Sequence, residues 1–239
     1  MSVDDEKFNR IAKGFYELTK NEFIDSVRRV IYNNPNTANG FADALSIGQI
    51  KSKKWLIEEL AKCAEFEQQL DLGSIYILCG WYGTLAYLMR MNPKFHIENI
   101  VSIDKDPSCE YVAERLNLDW IEDWRFKAIT MNIHDINYKD TFRFPAYSKD
   151  KEKRVGHKSD CDTIINTSCE HIEEFNKLYE KFPKGKLLVL QSNNFDIPEH
   201  VNRVDSLAEF EEQTPMSKVY YSGELHLDLY TRFMRIGFK

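Results

Sequence analysis

No stretch of this 239-residue chain approaches the roughly 18 consecutive apolar residues that a membrane-spanning helix needs, so a helical membrane protein is not expected. The first residues, MSVDDEKFNR, are acidic and polar, unlike the basic and then apolar start of a secretory signal. Positive charge is in short supply. Lys and Arg number 32 against 38 Asp and Glu, and the net charge of −6 argues against a strong electrostatic grip on nucleic acid. Five cysteines (Cys63, Cys79, Cys109, Cys161, Cys169) lie scattered with no CxxC pair. An odd, unpatterned set reads as reduced thiols, and with the polar N-terminus it points to the cytoplasm. Glycine (10) and proline (7) are too few for a collagenous or low-complexity chain, and no internal repeat is visible.

What remains is the composition of a globular domain, 43% hydrophobic and 29% charged. Residues 5–32 carry Phe8, Ile11, Phe15, Leu18, Phe23, Val27, Val30 and Ile31 at helical spacing, and Asn33-Asn34-Pro35-Asn36 ends that segment. A short helix over 38–44 and a longer one capped by Ser46 follow, the latter turning Ile50, Trp55, Leu56, Leu60 and Cys63 inward. Residues 1–70 therefore read as a helical N-terminal extension packed on a core formed by 71–239. Gln68 to Gly73 serves as the connector.

Beyond it, strand and helix alternate. The organising stretch is Ser74 to Asp106. An apolar run (Ile75 to Leu78) ends in Cys79-Gly80-Trp81-Tyr82-Gly83, a helical segment follows, and a second run (Ile100, Val101, Ile103) ends in Asp104. Strand, glycine turn, helix, strand and terminal carboxylate make a nucleotide-binding βαβ unit: the glycines let backbone approach a ligand, and the carboxylate can accept hydrogen bonds from ribose hydroxyls. The turn is not GxGxxG, and Trp81 and Tyr82 leave little bare backbone for a pyrophosphate. Further strands are expected at Phe126–Met131, Asp162–Thr167 and Lys186–Leu190, with helices from Pro107, over Glu173–Phe182 and from Ser206. Residues 143–160 read as a loop rich in Lys and Arg. The end differs: Lys218–Tyr221 and Tyr230–Phe238 are β-rich with no helix between, which suggests an antiparallel pair closing a mostly parallel sheet.

The glycine turn, Asp104 and the terminal antiparallel pair together resemble the class I S-adenosylmethionine-dependent methyltransferases over roughly residues 50–239. More narrowly, NTSCEHI and QSNNF resemble uncharacterised methyltransferase-like proteins of bacteriophages, which would place the chain in a host cytoplasm. The resemblance implies an α/β, Rossmann-like sheet of seven strands with the last antiparallel, and S-adenosyl-L-methionine as cofactor. It places Gly80, Trp81 and Gly83 under the methionine part, Asp104 on the ribose, Asn132 or Asp135 near the adenine, and Thr167 beside the cofactor. The family's acidic residue at the end of the first strand is missing, since Ile77, Leu78 and Cys79 stand there. Contact with the methionine amine must then come from backbone or from elsewhere.

Asn166-Thr167-Ser168-Cys169-Glu170-His171 is the densest group of reactive side chains, at a strand end where ligands bind in parallel sheets. His171 suits a base that takes a proton from the acceptor, with Glu170 orienting it or holding a cationic acceptor; the alternative is that the two merely begin a helix. Cys169 has no identifiable partner and reads as inert. Asn193, Asn194 and His200 follow the fifth strand and either contact the acceptor or form a turn. Gln49, Ser52 and Lys53 either reach over the cofactor carboxylate or form a solvated helix face. Metal binding finds no support, because Glu170, His171, His134 and His200 show no ligand spacing. The function expected is methyl transfer to a small-molecule acceptor. A non-catalytic cofactor-binding or interaction protein, a nucleic-acid methyltransferase using the basic loop 149–158, and a NAD-dependent dehydrogenase are the alternatives. The sequence is silent on oligomeric state.

Overall fold

The computed structural model describes residues 3–64, 69–147 and 154–239. Helix α1 (Val3–Thr19) ends where Lys20 turns to a positive φ of 51°, and the Asn21 side chain caps α2 (Glu22–Asn33) by accepting a bond from Phe23 N. The long periodic segment is therefore two helices. A turn at Pro35–Thr37 leads to α3 (Ala38–Ala44) and α4 (Ile47–Lys62). The core then runs β1 (Leu70–Leu78), α5 (Thr84–Arg90), β2 (Phe95–Asp104), α6 (Pro107–Leu116), α7 (Leu118–Glu122) and β3 (Phe126–Thr130). Strands β4 (Phe142–Tyr147) and β5 (Arg154–Ser159), β6 (Thr163–Asn166), α8 (Phe175–Lys181) and β7 (Leu187–Asn193) follow. The chain closes with α9 (Leu207–Gln213), β8 (Lys218–His226) and β9 (Thr231–Phe238).

Seven strands form one sheet in the order β3-β2-β1-β6-β7-β9-β8. Pairs among β3, β2, β1, β6 and β7 are parallel, whereas β9 runs antiparallel between β7 and β8. This is the mostly parallel α/β sheet with an antiparallel last strand that the sequence led us to expect. Both faces of the central strands are buried, as their near-continuous apolar runs require. One face packs Leu56 and Leu60 of α4 and Leu85 and Met89 of α5 against Ile75, Ile77 and Val189. The other packs Phe175 and Leu178 of α8 and Phe210 of α9 against Leu78, Ile103 and Leu190. Outside α5 and α6 lies a further layer, in which Val27, Val30 and Phe41 meet Tyr82, Tyr87 and Val112. Helix α1 sits outermost on α2, with Phe8, Ile11, Phe15 and Leu18 exposed rather than covered.

Three stretches differ from the sequence reading. The expected loop at 143–160 holds β4 and β5, an antiparallel ribbon in which Pro145 faces Gly156. Both residues signal strand breakers, but in a ribbon of two strands every strand is an edge and proline need not donate to a partner. Lys149, Lys151 and Lys153 of the basic cluster lie outside the described residues, and Arg154, His157 and Lys158 belong to β5. Strand β1 starts at Leu70, within the presumed connector, because the positive φ of Gly73 (55°) lets the register slip without ending the pairing. Strand β7 runs on through Gln191-Ser192-Asn193, a polar run that reads as a turn yet is fully buried.

Leu56 is 0% exposed between α4 and the sheet, so Leu56→Ala should cost about 2–5 kcal/mol. The measurement is urea unfolding, with a lowered midpoint and an unchanged slope; an unshifted midpoint would mean that α4 is not part of the cooperative core.

Candidate functional site

The carboxyl ends of β1, β2, β3 and β6 open on a cavity of about 710 Å³, within the range of small-molecule sites. Its first wall is the turn after β1. There Cys79 (φ 54°), Trp81 (φ 48°) and Gly83 (φ 70°) all adopt left-handed backbone, which swings the chain out and back into α5. Gly80 N donates to Ile103 O (3.1 Å), and a Cβ on Gly80 would sit 2.0 Å from Ser102 Oγ. This glycine lets the turn lie against β2. Asp104, at the tip of β2, accepts Trp81 N on Oδ2 (2.9 Å) and Asp106 N on Oδ1 (3.0 Å). One carboxylate thus fixes the turn and still faces the cavity.

Gly80, Trp81, Asp104, Asn132, Thr167 and His171 all line this space. Gly83 does not; it acts from behind, as the turn's last residue, with its carbonyl held by Asn117 Nδ2 (3.2 Å). Asp135 also stands off the cavity, in the short turn Ile133–Asp135, whereas Asn132 caps that turn by accepting His134 N. Tyr82 turns inward and stacks on Phe41, with ring centroids 5.0 Å apart. Of the two aromatics in the turn, Trp81 lines the cavity and Tyr82 does not.

The second wall comes from α4. Gln49 and Lys53 line the cavity, while Ser52 turns away to donate to Gln191 Oε1 (2.7 Å). The solvated helix face is not what forms. Lys53 is 6% exposed, donates to Gln49 Oε1 (2.6 Å), and has its ammonium pulled down to about 7 by burial and then by Arg232.

The third wall is the turn Cys169–His171 after β6. His171 lines the cavity, and its Nδ1 lies 3.0 Å from Glu199 O; partial desolvation at the cavity wall pulls its imidazole below the ordinary value. Glu170 faces the other way. It is 1% exposed and accepts a bond from Asn193 Nδ2, with Arg232 3.6 Å from its Oε1. Burial raises its pKa and Arg232 opposes that shift. Asn193 is consequently a buried partner of Glu170, and Asn194 is tied to β9 through bonds to and from Thr231. Neither lines the cavity. His200 lies beside His171, with ring centroids 4.5 Å apart. The Cys169 thiol is fully buried and pushed well up by that burial, consistent with an inert thiol.

Sequence reasoning passed over Arg232, which donates to Thr167 O (2.8 Å) and pairs with Glu170. The signal was available. Arg232 is the second residue of β9, and a strand running antiparallel to β7 starts at the very edge where the parallel strands end. The register sets Arg232 opposite Asn193.

No family model and no curated protein matches the chain. Solved structures do match. An O-methyltransferase family protein from Burkholderia thailandensis aligns with a TM-score of 0.50 at 12% identity, over 88% of this chain and 62% of that one. Geranyl diphosphate C-methyltransferase from Streptomyces coelicolor A3(2) aligns with a TM-score of 0.51 at 8% identity, over 78% and 77%. The YcgJ protein of Bacillus subtilis aligns with a TM-score of 0.50 at 11% identity, over 78% and 98%. The chain spans 48% to 60% of the length of three others. The fold is that of the class I methyltransferases. Among the described residues, no helix of this methyltransferase fold is long and apolar enough to cross a membrane.

Lys53 gives the site a pH signature. Its folded value, about 7, lies below the usual 10.5, so between these values the unfolded chain holds a proton that the folded chain has lost. Stability from this group therefore rises with pH across that window, and the cost of burying the charge is felt in full below about 7. Lys53→Met should stabilise the fold most below pH 7, with the advantage shrinking toward pH 10 in urea unfolding. An advantage that does not change with pH would show that Lys53 keeps an ordinary ammonium.

Proposed function

We propose that this chain binds S-adenosylmethionine and transfers its methyl group to a small acceptor. The observation that carries the reading is the single cavity at the carboxyl edge of the sheet, which gathers the turn after β1, the Asp104 carboxylate and His171. When bound, the cofactor supplies an electrophilic methyl on a sulfonium, so positioning in line and removal of an acceptor proton are what remain for the protein.

The donor set fits such a ligand. Asp104 keeps acceptor capacity beyond its two backbone bonds and would hold the ribose hydroxyls. Gly80 and Trp81 would lie along the methionine portion, with Gly83 shaping the turn. Lys53 and Gln49 would meet the methionine carboxylate, and the methionine amine would be left to the backbone of the turn after β1. Asn132 is better placed than Asp135 for the adenine end, and Thr167 borders the centre of the cavity. His171 would face the acceptor and orient it, with Glu170, Asn193 and His200 fixing its surroundings. A cytoplasmic location and the likeness to bacteriophage proteins rest on the sequence alone.

Isothermal titration with S-adenosylmethionine and S-adenosylhomocysteine should give one-to-one binding, weakened at least about tenfold in Asp104→Ala if two ribose hydrogen bonds are lost. Trp81→Ala, checked for folding by circular dichroism, should weaken it as well. Absence of heat and of thermal shift with the wild-type chain at saturating cofactor overturns the reading.

A further inference from the structure

We propose that Glu170, His171 and His200 form a binding site for a first-row divalent cation such as Zn²⁺, Mn²⁺ or Co²⁺. One ligand atom from each residue lies within 4.8 Å of the others. Linear spacing conceals this, because two ligands sit on the turn after β6 and the third lies 29 positions on, in the segment after β7. The adjacency of β6 and β7 brings the two segments together. Asn202 locks them, its N–H donating to Glu170 O (2.9 Å) and its Nδ2 to Cys169 O (3.1 Å).

The hydrogen bonds around the three residues leave the right atoms over. His171 Nδ1 lies 3.0 Å from Glu199 O, and His200 Nδ1 lies 2.7 Å from Phe195 O. A carbonyl only accepts, so each Nδ1 carries the proton and each Nε2 keeps its lone pair. Metal-binding histidines are typically oriented this way, the remote N–H donated to a carbonyl or carboxylate. Glu170 Oε1 has Arg232 at 3.6 Å and accepts Asn193, whereas Oε2 is buried and, among the described residues, has no hydrogen-bond partner. An unsatisfied carboxylate oxygen at full burial is costly. A cation is the partner its neighbours fit. Two imidazoles and one carboxylate suit first-row divalent metals and leave coordination positions open, here toward the cavity that His171 lines. Ligand atoms about 3.4 Å apart suit a tetrahedral ion with bonds near 2.1 Å, so small side-chain rotations of the exposed His171 would close the site. Arg232 and Lys105 are the cationic neighbours, set against Glu170 and Glu199.

The test needs no methyl donor, so its outcome is independent of the cofactor titration. The full chain, stripped with a chelator, is titrated with Co²⁺ while visible ligand-field absorption and heat are recorded. Saturable binding of one Co²⁺ per chain is expected. His200→Ala and His171→Ala should each weaken it at least about tenfold, and His226→Ala, on β8, should not. X-ray absorption at the cobalt edge of the wild-type complex, which requires no variant to fold, should show two imidazoles with oxygen donors. Absence of saturable binding, wild-type affinity in both histidine variants, or a metal shell without imidazole would each overturn the proposal.

Discussion

The Asp104 carboxylate is the constraint on which the site depends. Its two oxygens reach in opposite directions along the chain, one to Trp81 N in the turn after β1 and one to Asp106 N ahead of α6. Two left-handed non-glycine residues, Cys79 and Trp81, are strained conformations of the kind that persist only where the surroundings impose them. The bond from Trp81 N supplies part of that imposition, and the fit of Gly80 against Ser102 supplies more. The same carboxylate then borders the cavity. Holding the turn therefore also fixes the Trp81 side chain and the Asp104 carboxylate in one relation at the cavity wall.

The opposite wall depends on a different economy. Glu170, Arg232 and Asn193 bury one guanidinium and one carboxylate at the sheet's edge, at a desolvation cost that their mutual attraction only partly offsets. A hydrophobic replacement would be the cheaper way to fill that volume. Polar groups retained at such cost, beside a cavity, are where binding and catalytic roles concentrate. Glu170 accepts from Asn193 and pairs with Arg232, while Arg232 also holds the Thr167 carbonyl, so the floor of the cavity is tied to β7 and β9 together.

Legibility in the sequence followed the locality of the physics. The βαβ unit, the central strands and the antiparallel closure were readable because apolar period and turn residues encode them within a few positions of chain. Gly80, Trp81, Asp104, Asn132, Thr167 and His171 were readable as cavity residues because each sits at the tip of such an element. Glu170 and Asn193 were not, since the direction of a side chain at a strand end depends on which partner waits behind it. The polar run Gln191-Ser192-Asn193 looks like a turn until Ser52, 139 positions away, bonds to Gln191. Lys53 looked solvated for the same reason: whether a lysine on a helix faces water depends on what the helix packs against.

The three walls also come from different parts of the chain. The turn after β1, Asp104 and Lys53 all precede residue 110, and they form the side proposed for the cofactor. His171 and the Glu199–Val201 segment form the other side, from elements that follow β6. Only the shared sheet couples them, through β1 paired with β6 and β6 with β7. Substitutions on the second side can therefore reshape the cavity without disturbing the bonds that hold the turn after β1. Likeness to solved structures at 8% to 12% identity fits such an arrangement, because the constraint shared with them is the sheet and its closure, while the wall that follows β6 is free to differ.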